Sequence, residues 1–375
     1  MKSQIGPLYD NEGNLHQDRS VMANLLQDQY ASVFSDPYCP DKQTHAPERA
    51  PHSTLSDLSF SVSDIEEAID EIDQHAACGD YDIPAKLLKE CKSSISFPIA
   101  LIWKESLAES FIPTCFKFQL ITPVHKKGSK ALPANYRPVS LTSHVIKIFE
   151  IIMRARIVHH LESSNLLCKH QHVITRGRIC RTQLLAHVDN IIQNLITGAD
   201  TDVIYLDFAK AFDKVDHQIL LAKVKAYGIS GKVYQWIEAF LSDRHQSVVI
   251  NGSLSYPAKV ISGVPQGTVL GPILFLIYID NMSDCALHSF LSTFADDTRI
   301  AGRVDSVSDV IKTQADLNQV IEWSTSNNML LHEQKFELLC HKAPRPGHFL
   351  TGLPLVAELY QYSTSKGIIT QKSLV

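Results

Sequence analysis

Long apolar runs are missing from this 375-residue chain. No stretch of about 18 uncharged apolar residues occurs, so the sequence predicts no membrane span. The polar first residues lack the apolar segment of a secretory signal. The eight cysteines include no pair spaced as C-x-x-C, which indicates reduced thiols rather than a disulfide framework. We therefore expect an intracellular protein, in the nucleus or the cytoplasm, with no targeting signal.

Basic charge is scarce overall but locally concentrated. The net charge of −5 argues, by itself, against a nucleic-acid partner. Residues 1–90 hold seventeen Asp and Glu against six Lys and Arg, whereas residues 115–181 hold twelve Lys and Arg against two Asp and Glu. The second stretch is either a solvated basic face or a field that neutralises phosphates.

Helical and strand-like patterns both recur, which predicts an α+β fold with helices packed on an antiparallel sheet. Ser63 and Glu66 suggest a capping box at a helix start. Residues 36–58 are rich in Pro, Ser and charge and read as a linker. The main helices are predicted over residues 18–34, 145–161, 232–241, 267–281 and 308–328. The main strands are predicted over 120–124, 201–206, 298–303 and 336–341.

Three aspartates follow strand-like segments. The apolar run VIYL at 203–206 ends in Asp207, and FADDT at 294–298 places Asp296 and Asp297 at the tip of a predicted hairpin. An uncompensated carboxylate in a dry site is costly, and a metal ion is a natural compensation. The alternative is that these acids are ordinary turn residues. Spacing alone does not decide whether the two segments meet.

Five segments carry a family resemblance. In chain order they read PVHKKG (123–128), NYRPVSLT (135–142), TDVIYLDFAKAFDKVDH (201–217), SGVPQGTVLGP (262–272) and FADD (294–297). Together they resemble the core motifs of non-LTR retrotransposon reverse transcriptases, and the variants look most similar to jockey-like mobile elements of arthropods. The resemblance extends from about Pro98 to Leu339.

This resemblance implies the fingers and palm of a right-hand polymerase, the palm being a ferredoxin-like antiparallel sheet with helices on one face. It implies a domain division as well. Residues 1–97 would form an acidic, partly helical region before the polymerase, and residues 98–345 the reverse transcriptase domain. Residues 346–375 would be a tail that ends before the thumb.

The site residues are carried over from the family motifs one by one. Asp207, Asp296 and Asp297 match the three catalytic, metal-binding aspartates. Phe212 matches the aromatic residue that excludes a ribonucleotide 2′-OH; without the motif it would be read as a core aromatic. The remaining matches are Gln266 and Gly267 beside the nucleotide pocket, Lys126 or Lys127 and Arg137 on the triphosphate, and Lys335 as a proton donor to pyrophosphate. For Arg137 and Lys335, an ordinary surface charge is the alternative.

The implied function is RNA-directed DNA polymerase activity, in which a primer 3′-OH attacks a dNTP. The implied cofactors are two Mg²⁺ ions, with Mn²⁺ as a substitute. The implied partners are an RNA template, a DNA primer or target, and dNTPs. A two-metal nuclease is disfavoured because the motif around Gln266 and the residue Phe212 would have no role in it.

The alternative is a weak or inactive element remnant that only binds RNA. Where relatives read Gly-Phe-Arg after a histidine, this chain has Val173, Ile174 and Thr175, which removes a permissive glycine and a cationic contact. The sequence also shows no endonuclease and no thumb. We therefore expect short products that vanish as salt rises, because few phosphate contacts hold the template.

Overall fold

The computed structural model describes residues 5–35, 51–77, 83–168, 180–332, 335–343 and 370–372. Most of the 36–58 linker and the Val173–Thr175 segment lie outside these ranges. Ten α-helices are found in the described residues. They are α1 Arg19–Ala31, α2 Val62–Glu71, α3 Ala85–Glu90, α4 Lys92–Ala108, α5 His144–Ser163, α6 Cys180–Ile196, α7 His217–Ala226, α8 Gly231–Leu241, α9 Gly271–Ile279 and α10 Val307–Ser326. None of these helices is long and apolar enough to cross a membrane.

In the part of the chain that the structure describes, the strands form three sheets. They are β1 Leu8–Tyr9, β2 Leu15–His16, β3 Phe118–His125, β4 Tyr136–Leu141, β5 Thr201–Leu206, β6 His245–Ile250, β7 Ser253–Leu254, β8 Ala258–Lys259, β9 Phe290–Phe294, β10 Asp297–Arg303, β11 Glu337–His341 and β12 Thr370–Lys372. One sheet has the order β4-β3-β6-β7 with β8 beside β6, another the order β12-β11-β5-β10-β9, and β1 pairs with β2. The coarse α+β prediction is confirmed.

The described residues divide into two compact units. Unit 1 holds those within Met1–Tyr38, Pro51–His160 and Phe212–Leu274, and unit 2 those within Leu161–Ala211 and Phe275–Val375. The described residues before position 98 thus share unit 1 with the motifs at 123–142 and 262–272. The domain division at residue 98 stays a prediction.

In unit 1, helix α1 packs on the sheet through an apolar face. Met22, Leu26 and Tyr30 are buried in one core cluster with Ile121 of β3 and Val248 of β6, among others. Asp18 caps the helix by accepting hydrogen bonds from the backbone N–H groups of the first turn, a common N-terminal arrangement. Strand β3 runs antiparallel to β4 and parallel to β6. The N-terminal helix is therefore part of the same core as the β3–β4 hairpin.

In unit 2, helices cover both faces of the sheet. Ile191 of α6 packs with Val203 and Ala301 on one face. A Cβ on Gly302, the residue after Ala301, would meet the side chain of Thr313 in α10, so α10 lies on the opposite face. The predicted arrangement with helices on one face is wrong. The physical reason is that β5 is apolar on both sides, and a strand of that kind needs cover on both.

Two local predictions also need correction. Helix α2 is capped by Ser61 with Asp64, not by Ser63 with Glu66. Both pairs have the capping-box spacing, and the structure uses the earlier one. Residues 267–270 are not helical, since α9 begins at Gly271 and a 3-10 helix, Asp280–Cys285, follows it. The hairpin at Asn251-Gly252 joins β6 to the short β7, whereas β8 pairs with the other end of β6.

Candidate active site

Asp207 stands directly after β5, at the end of a central strand of unit 2. Leu206 pairs with Thr298 of β10, so Asp207 and Asp297 occupy the next positions along neighbouring antiparallel strands. The backbone of Asp207 is also fixed on its other side, because its carbonyl accepts a 2.7 Å hydrogen bond from the N–H of His332. Sheet register thus brings two sequence segments that are far apart in the chain to one sheet end.

The turn between β9 and β10 carries the other two aspartates. Phe294 pairs with Asp297, leaving Ala295 and Asp296 as the turn residues. Ala295 has a φ of 53°, which is unfavourable for a residue with a Cβ. Asp296 is half-buried and Asp297 is exposed. The carboxylates therefore lie where ligands can reach them.

Lys335 contacts the first aspartate. Its ammonium Nζ donates a hydrogen bond to Oδ2 of Asp207 and forms an ion pair with it. The lysine side chain is 45% exposed and that of Asp207 is 27% exposed. A cation thus already occupies one carboxylate oxygen.

Carboxylate oxygens are the hard ligands that Mg²⁺ prefers, so the donor chemistry of these strand ends fits a divalent cation. Within the ranges that the structure describes, no three Asp, Glu, His or Cys side chains converge as a ready metal site. Convergence of Asp207, Asp296 and Asp297 on shared ions stays a prediction, supported by the backbone register alone.

In unit 1, the loop that carries Gln266 is held by hydrogen bonds from several sides. The N–H of Ser140 in β4 donates to the carbonyl of Gln266 at 2.7 Å. The side-chain Nε2 of Gln266 donates to Oδ1 of Asp213 at 2.9 Å. Gly267 has a φ of 119°, and a Cβ there would lie 2.5 Å from the Ser140 carbonyl oxygen. Only glycine allows this close approach to β4.

The same loop is also supported by a buried acid. Glu150 of α5 is fully buried, and its Oε2 accepts hydrogen bonds from the N–H groups of Val269 and Leu270 at 2.7 and 2.9 Å. Burial raises the pKa of Glu150, while these hydrogen bonds and the charge of Arg244 act in the opposite direction. The carboxyl group satisfies backbone donors that precede α9.

Phe212 is half-buried and its backbone is fixed. Its carbonyl accepts a 2.8 Å hydrogen bond from the N–H of Val264, and the carbonyl of Val215 accepts one of 2.7 Å from Gly263. The imidazole of His217 donates from Nε2 to the carbonyl of Gly263 at 2.8 Å. Burial lowers the pKa of His217, a shift that this hydrogen bond partly opposes.

Lys126 and Lys127 lie in the loop that joins β3 to β4, and Arg137 lies beside this loop at the start of β4. Arg137 pairs with Val124 across the hairpin, and the N–H of Lys126 donates to the carbonyl of Asn135 at 2.9 Å. All three side chains are exposed. The hairpin therefore presents a cluster of cations to solvent.

Sequence reasoning did not single out three residues that support the loop: Asp213, Glu150 and His217. Glu150 did leave a signal, since it is a lone acid within the apolar run IKIFEIIM of α5. Asp213 and Gln266 are 53 residues apart, and no local pattern indicates that they meet.

A model of the family described as "Reverse transcriptase (RNA-dependent DNA polymerase)" matches residues 124–355, which is more than half of the chain. The chain therefore belongs to the reverse transcriptase family.

Curated relatives extend this assignment to mobile elements. The chain is 28% identical to "Probable RNA-directed DNA polymerase from transposon X-element" of Drosophila melanogaster over 76% of its length. It is 29% identical to that from transposon BS and 26% to that from mobile element jockey of the same species, each over 63% of its length. The resemblance to non-LTR retrotransposon enzymes is confirmed. The chain spans 32%, 27% and 27% of these relatives, respectively.

Proposed function

We propose that the chain is an RNA-directed DNA polymerase that adds dNTPs to a primer 3′-OH on an RNA template. The observation that carries this proposal is the register of β5 and β10, which places Asp207 and Asp297 at adjoining strand ends. The motifs that supply these residues occur in the family order within the matched range. In the proposed reaction the primer oxygen bonds to the α-phosphorus of the nucleotide. The bond to the leaving pyrophosphate breaks, and the hydroxyl proton is released.

The three aspartates would hold two Mg²⁺ ions, with Mn²⁺ as a substitute. Such ions, when bound, activate the attacking hydroxyl and stabilise the charge on the leaving pyrophosphate. Asp296 is half-buried and Asp297 is exposed, so a metal ion can reach both residues from solvent. The ammonium of Lys335 lies beside the Asp207 carboxylate. When metal ions bind Asp207, this ammonium would leave the carboxylate and donate a proton to the pyrophosphate.

Nucleotide recognition is assigned to unit 1. The ring of Phe212 would lie under the sugar and exclude a 2′-OH. Gln266 and Gly267 would border the base and sugar, since their loop is fixed in place before any ligand arrives. Arg137 and one lysine of the pair Lys126 and Lys127 would bind the triphosphate, for which the planar fork of arginine is well suited.

We further propose that the β3–β4 hairpin belongs to the fingers and that the β5–β10 sheet is the palm. The RNA template and the DNA primer or target would be held partly through the basic stretch at residues 115–181. The proposed setting is intracellular.

A second candidate is a remnant that binds RNA without catalysis. The exposed cations of the β3–β4 hairpin favour RNA binding whether or not the carboxylate site is active. The two candidates share this binding and differ only in chemistry.

Primer extension separates them. The chain is supplied with an RNA template, an annealed DNA primer, dNTPs and either Mg²⁺ or a chelator. Metal-dependent extension is expected, and RNA binding is measured in parallel by fluorescence anisotropy. RNA binding with no extension would show that the chain is a remnant that binds RNA without catalysis.

A double variant, Asp296→Asn with Asp297→Asn, should lose extension and keep RNA binding. Asp189→Asn is the matched control, because Asp189 is an exposed acid of α6 in the same unit. Equal extension by the double variant and the control would show that the carboxylate site has been assigned wrongly.

A further inference from the structure

Ser35 links the N-terminal segment to the two motif segments of unit 1. It follows α1, and 9% of its surface is exposed. Its N–H donates to the hydroxyl of Ser262 at 2.9 Å, and its own hydroxyl donates to the carbonyl of Lys214 at 3.0 Å. These partners lie 227 and 179 residues away along the sequence. One serine thus bonds to both segments at once.

Both partners lie within a compact set of hydrogen bonds. The hydroxyl of Ser262 donates a hydrogen bond to the carbonyl of Asp213 at 2.9 Å. Asp213 in turn holds the side chain of Gln266, and the neighbouring carbonyl of Phe212 accepts from Val264. Ser35 is therefore two hydrogen bonds away from Asp213 and three away from Gln266.

The position of Ser35 is itself fixed by packing. Helix α1 ends four residues earlier and is anchored by Met22, Leu26 and Tyr30 in the core of unit 1. Burial and, to a lesser extent, the charge of Asp213 raise the pKa of Tyr30. Ser35 therefore follows a helix that is packed in the core of unit 1, and this packing limits its movement.

A small cavity adjoins this set of bonds. It has a volume of about 30 Å³, and its lining includes Phe34, Asp213, Ser262 and Gln266. A space of this size holds about one or two water molecules. The loop therefore has room to shift if the bonds that Ser35 makes are lost.

We propose that Ser35 is a positioning residue for nucleotide selection. Its hydroxyl fixes the backbone of residues 212–215 in the position that lets the ring of Phe212 contact the nucleotide sugar. The loss of this hydroxyl lets that segment relax and weakens the discrimination against ribonucleotides. The inference rests on the proposed function, and it places a determinant of specificity well before residue 124, where the match to the family model begins.

The test compares Ser35→Ala, which removes the hydroxyl donor, with Ser35→Thr, which retains a hydroxyl. Ser32→Ala is the control, because the Ser32 hydroxyl is exposed and bonds only to the nearby Gln29 carbonyl at 2.9 Å. Phe212→Val is the reference, because it removes the aromatic ring that is proposed to exclude the ribonucleotide 2′-OH. For each protein, kcat and KM are measured in primer extension for a dNTP and for the matching rNTP, together with the melting temperature.

One lost hydrogen bond has a net effect of about 1 kcal/mol, so Ser35→Ala should raise relative rNTP use by about 3- to 10-fold. Ser35→Thr should restore the selectivity, and Ser32→Ala should leave it unchanged. A Ser35→Ala protein with lower rates but an unchanged dNTP-to-rNTP ratio would overturn the inference, because a purely structural tie affects both substrates alike.

Equilibrium binding separates this inference from the proposed function. Titration calorimetry of the full chain with a dNTP and the matching rNTP, each with Mg²⁺, measures the preference without turnover. If the unmodified chain prefers dNTP but does not extend primers, the proposed function fails. The inference is then supported if Ser35→Ala weakens the preference for dNTP, and it is contradicted if the preference is unchanged. The absence of any preference in the unmodified chain would overturn the inference.

Discussion

The strand ends that carry the aspartates and the loop that carries Gln266 are held in place by different means. In unit 2 the backbone register positions Asp207 and Asp297, and their side chains remain partly exposed. In unit 1 the Gln266 loop is bonded to Ser140, Asp213 and, through its following residues, Glu150. Groups that must accept ligands are left open, whereas a loop that must discriminate between ligands is pre-organised. Substitutions at the strand ends, the carboxylate side, and in the Gln266 loop, the loop side, can test this contrast separately.

The largest effect is expected at the carboxylate side. Asp207→Asn should reduce kcat in primer extension by at least about 1,000-fold, because removal of a group that acts in the transition state costs that much or more. Its melting temperature should hardly change, since the ion pair with Lys335 is exposed and contributes little to stability.

Lys335→Ala is the comparison, because it removes the same ion pair and the proposed proton donor but leaves the carboxylate. We expect a smaller loss of kcat, with measurable extension remaining. If Asp207→Asn kept as much activity as Lys335→Ala, the carboxylate would not be the essential feature.

The loop side should respond to added volume. Gly267→Ala places a Cβ 2.5 Å from the carbonyl oxygen of Ser140 at a φ of 119°. Strain of this kind costs about 1 to 3 kcal/mol, so KM for dNTP should rise by roughly 10-fold or more.

Gly252→Ala provides the comparison, because Gly252 has a φ of 85° with no atom within 4 Å of the added Cβ. It carries the conformational strain without the clash. The contrast between the two regions would be lost if both substitutions changed KM alike.

Acid should weaken the loop side through His217. Burial keeps its imidazole neutral in the folded chain by lowering its pKa below the usual value of 6.5. As the pH falls below about 6.5, the unfolded chain binds the proton first, so stability is complete above that pH and decreases below it. The melting temperature should therefore fall on acidification, and His217→Gln should show a shallower fall.

Burial of the His217 ring is the structural basis of this expectation, and the hydrogen bond to the Gly263 carbonyl partly opposes it. Parallel pH profiles for the variant and the unmodified chain would argue against it. The many other histidines affect both proteins equally, so the difference between the profiles isolates His217.

The smallest effect is expected at the turn. Ala295→Gly removes the positive-φ strain of an L-residue, about 1 to 2 kcal/mol, and adds the backbone entropy of glycine, about 0.5 to 1 kcal/mol. A net stabilisation of up to about 1.5 kcal/mol should appear in denaturant unfolding.

Asn251→Gly is the control, since Asn251 has a φ of 48° but asparagine tolerates that region. It should show a smaller gain. A loss of stability on Ala295→Gly would mean that the Ala295 side chain stabilises the turn.

Local patterns predicted local structure well. The apolar run of β5 matched residue for residue, and the helix predicted from residue 18 does begin there, with Asp18 as its cap. Ser61 and Ser63 show the limit of such patterns, because both have an acid three residues on and only packing selects between them.

Contacts across the sequence were less predictable. The apolar residues after Gly267 have helical character, yet the close approach of Gly267 to Ser140 delays the helix until Gly271. The aspartates were found through the family motifs. The adjacent positions of Asp207 and Asp297 follow from the register of β5 and β10, which neither sequence segment encodes by itself.

The parallel pairing of β3 with β6 has a consequence for synthesis on the ribosome. Gln119 and Gln246, which pair across these strands, are 127 residues apart. At about 5 to 20 residues per second, roughly 6 to 25 s pass between their appearance. Helix α1 and the β3–β4 hairpin can dock first through Tyr30, Ile121 and Tyr136. During that interval the other edge of β3 presents unpaired backbone groups to neighbouring nascent chains.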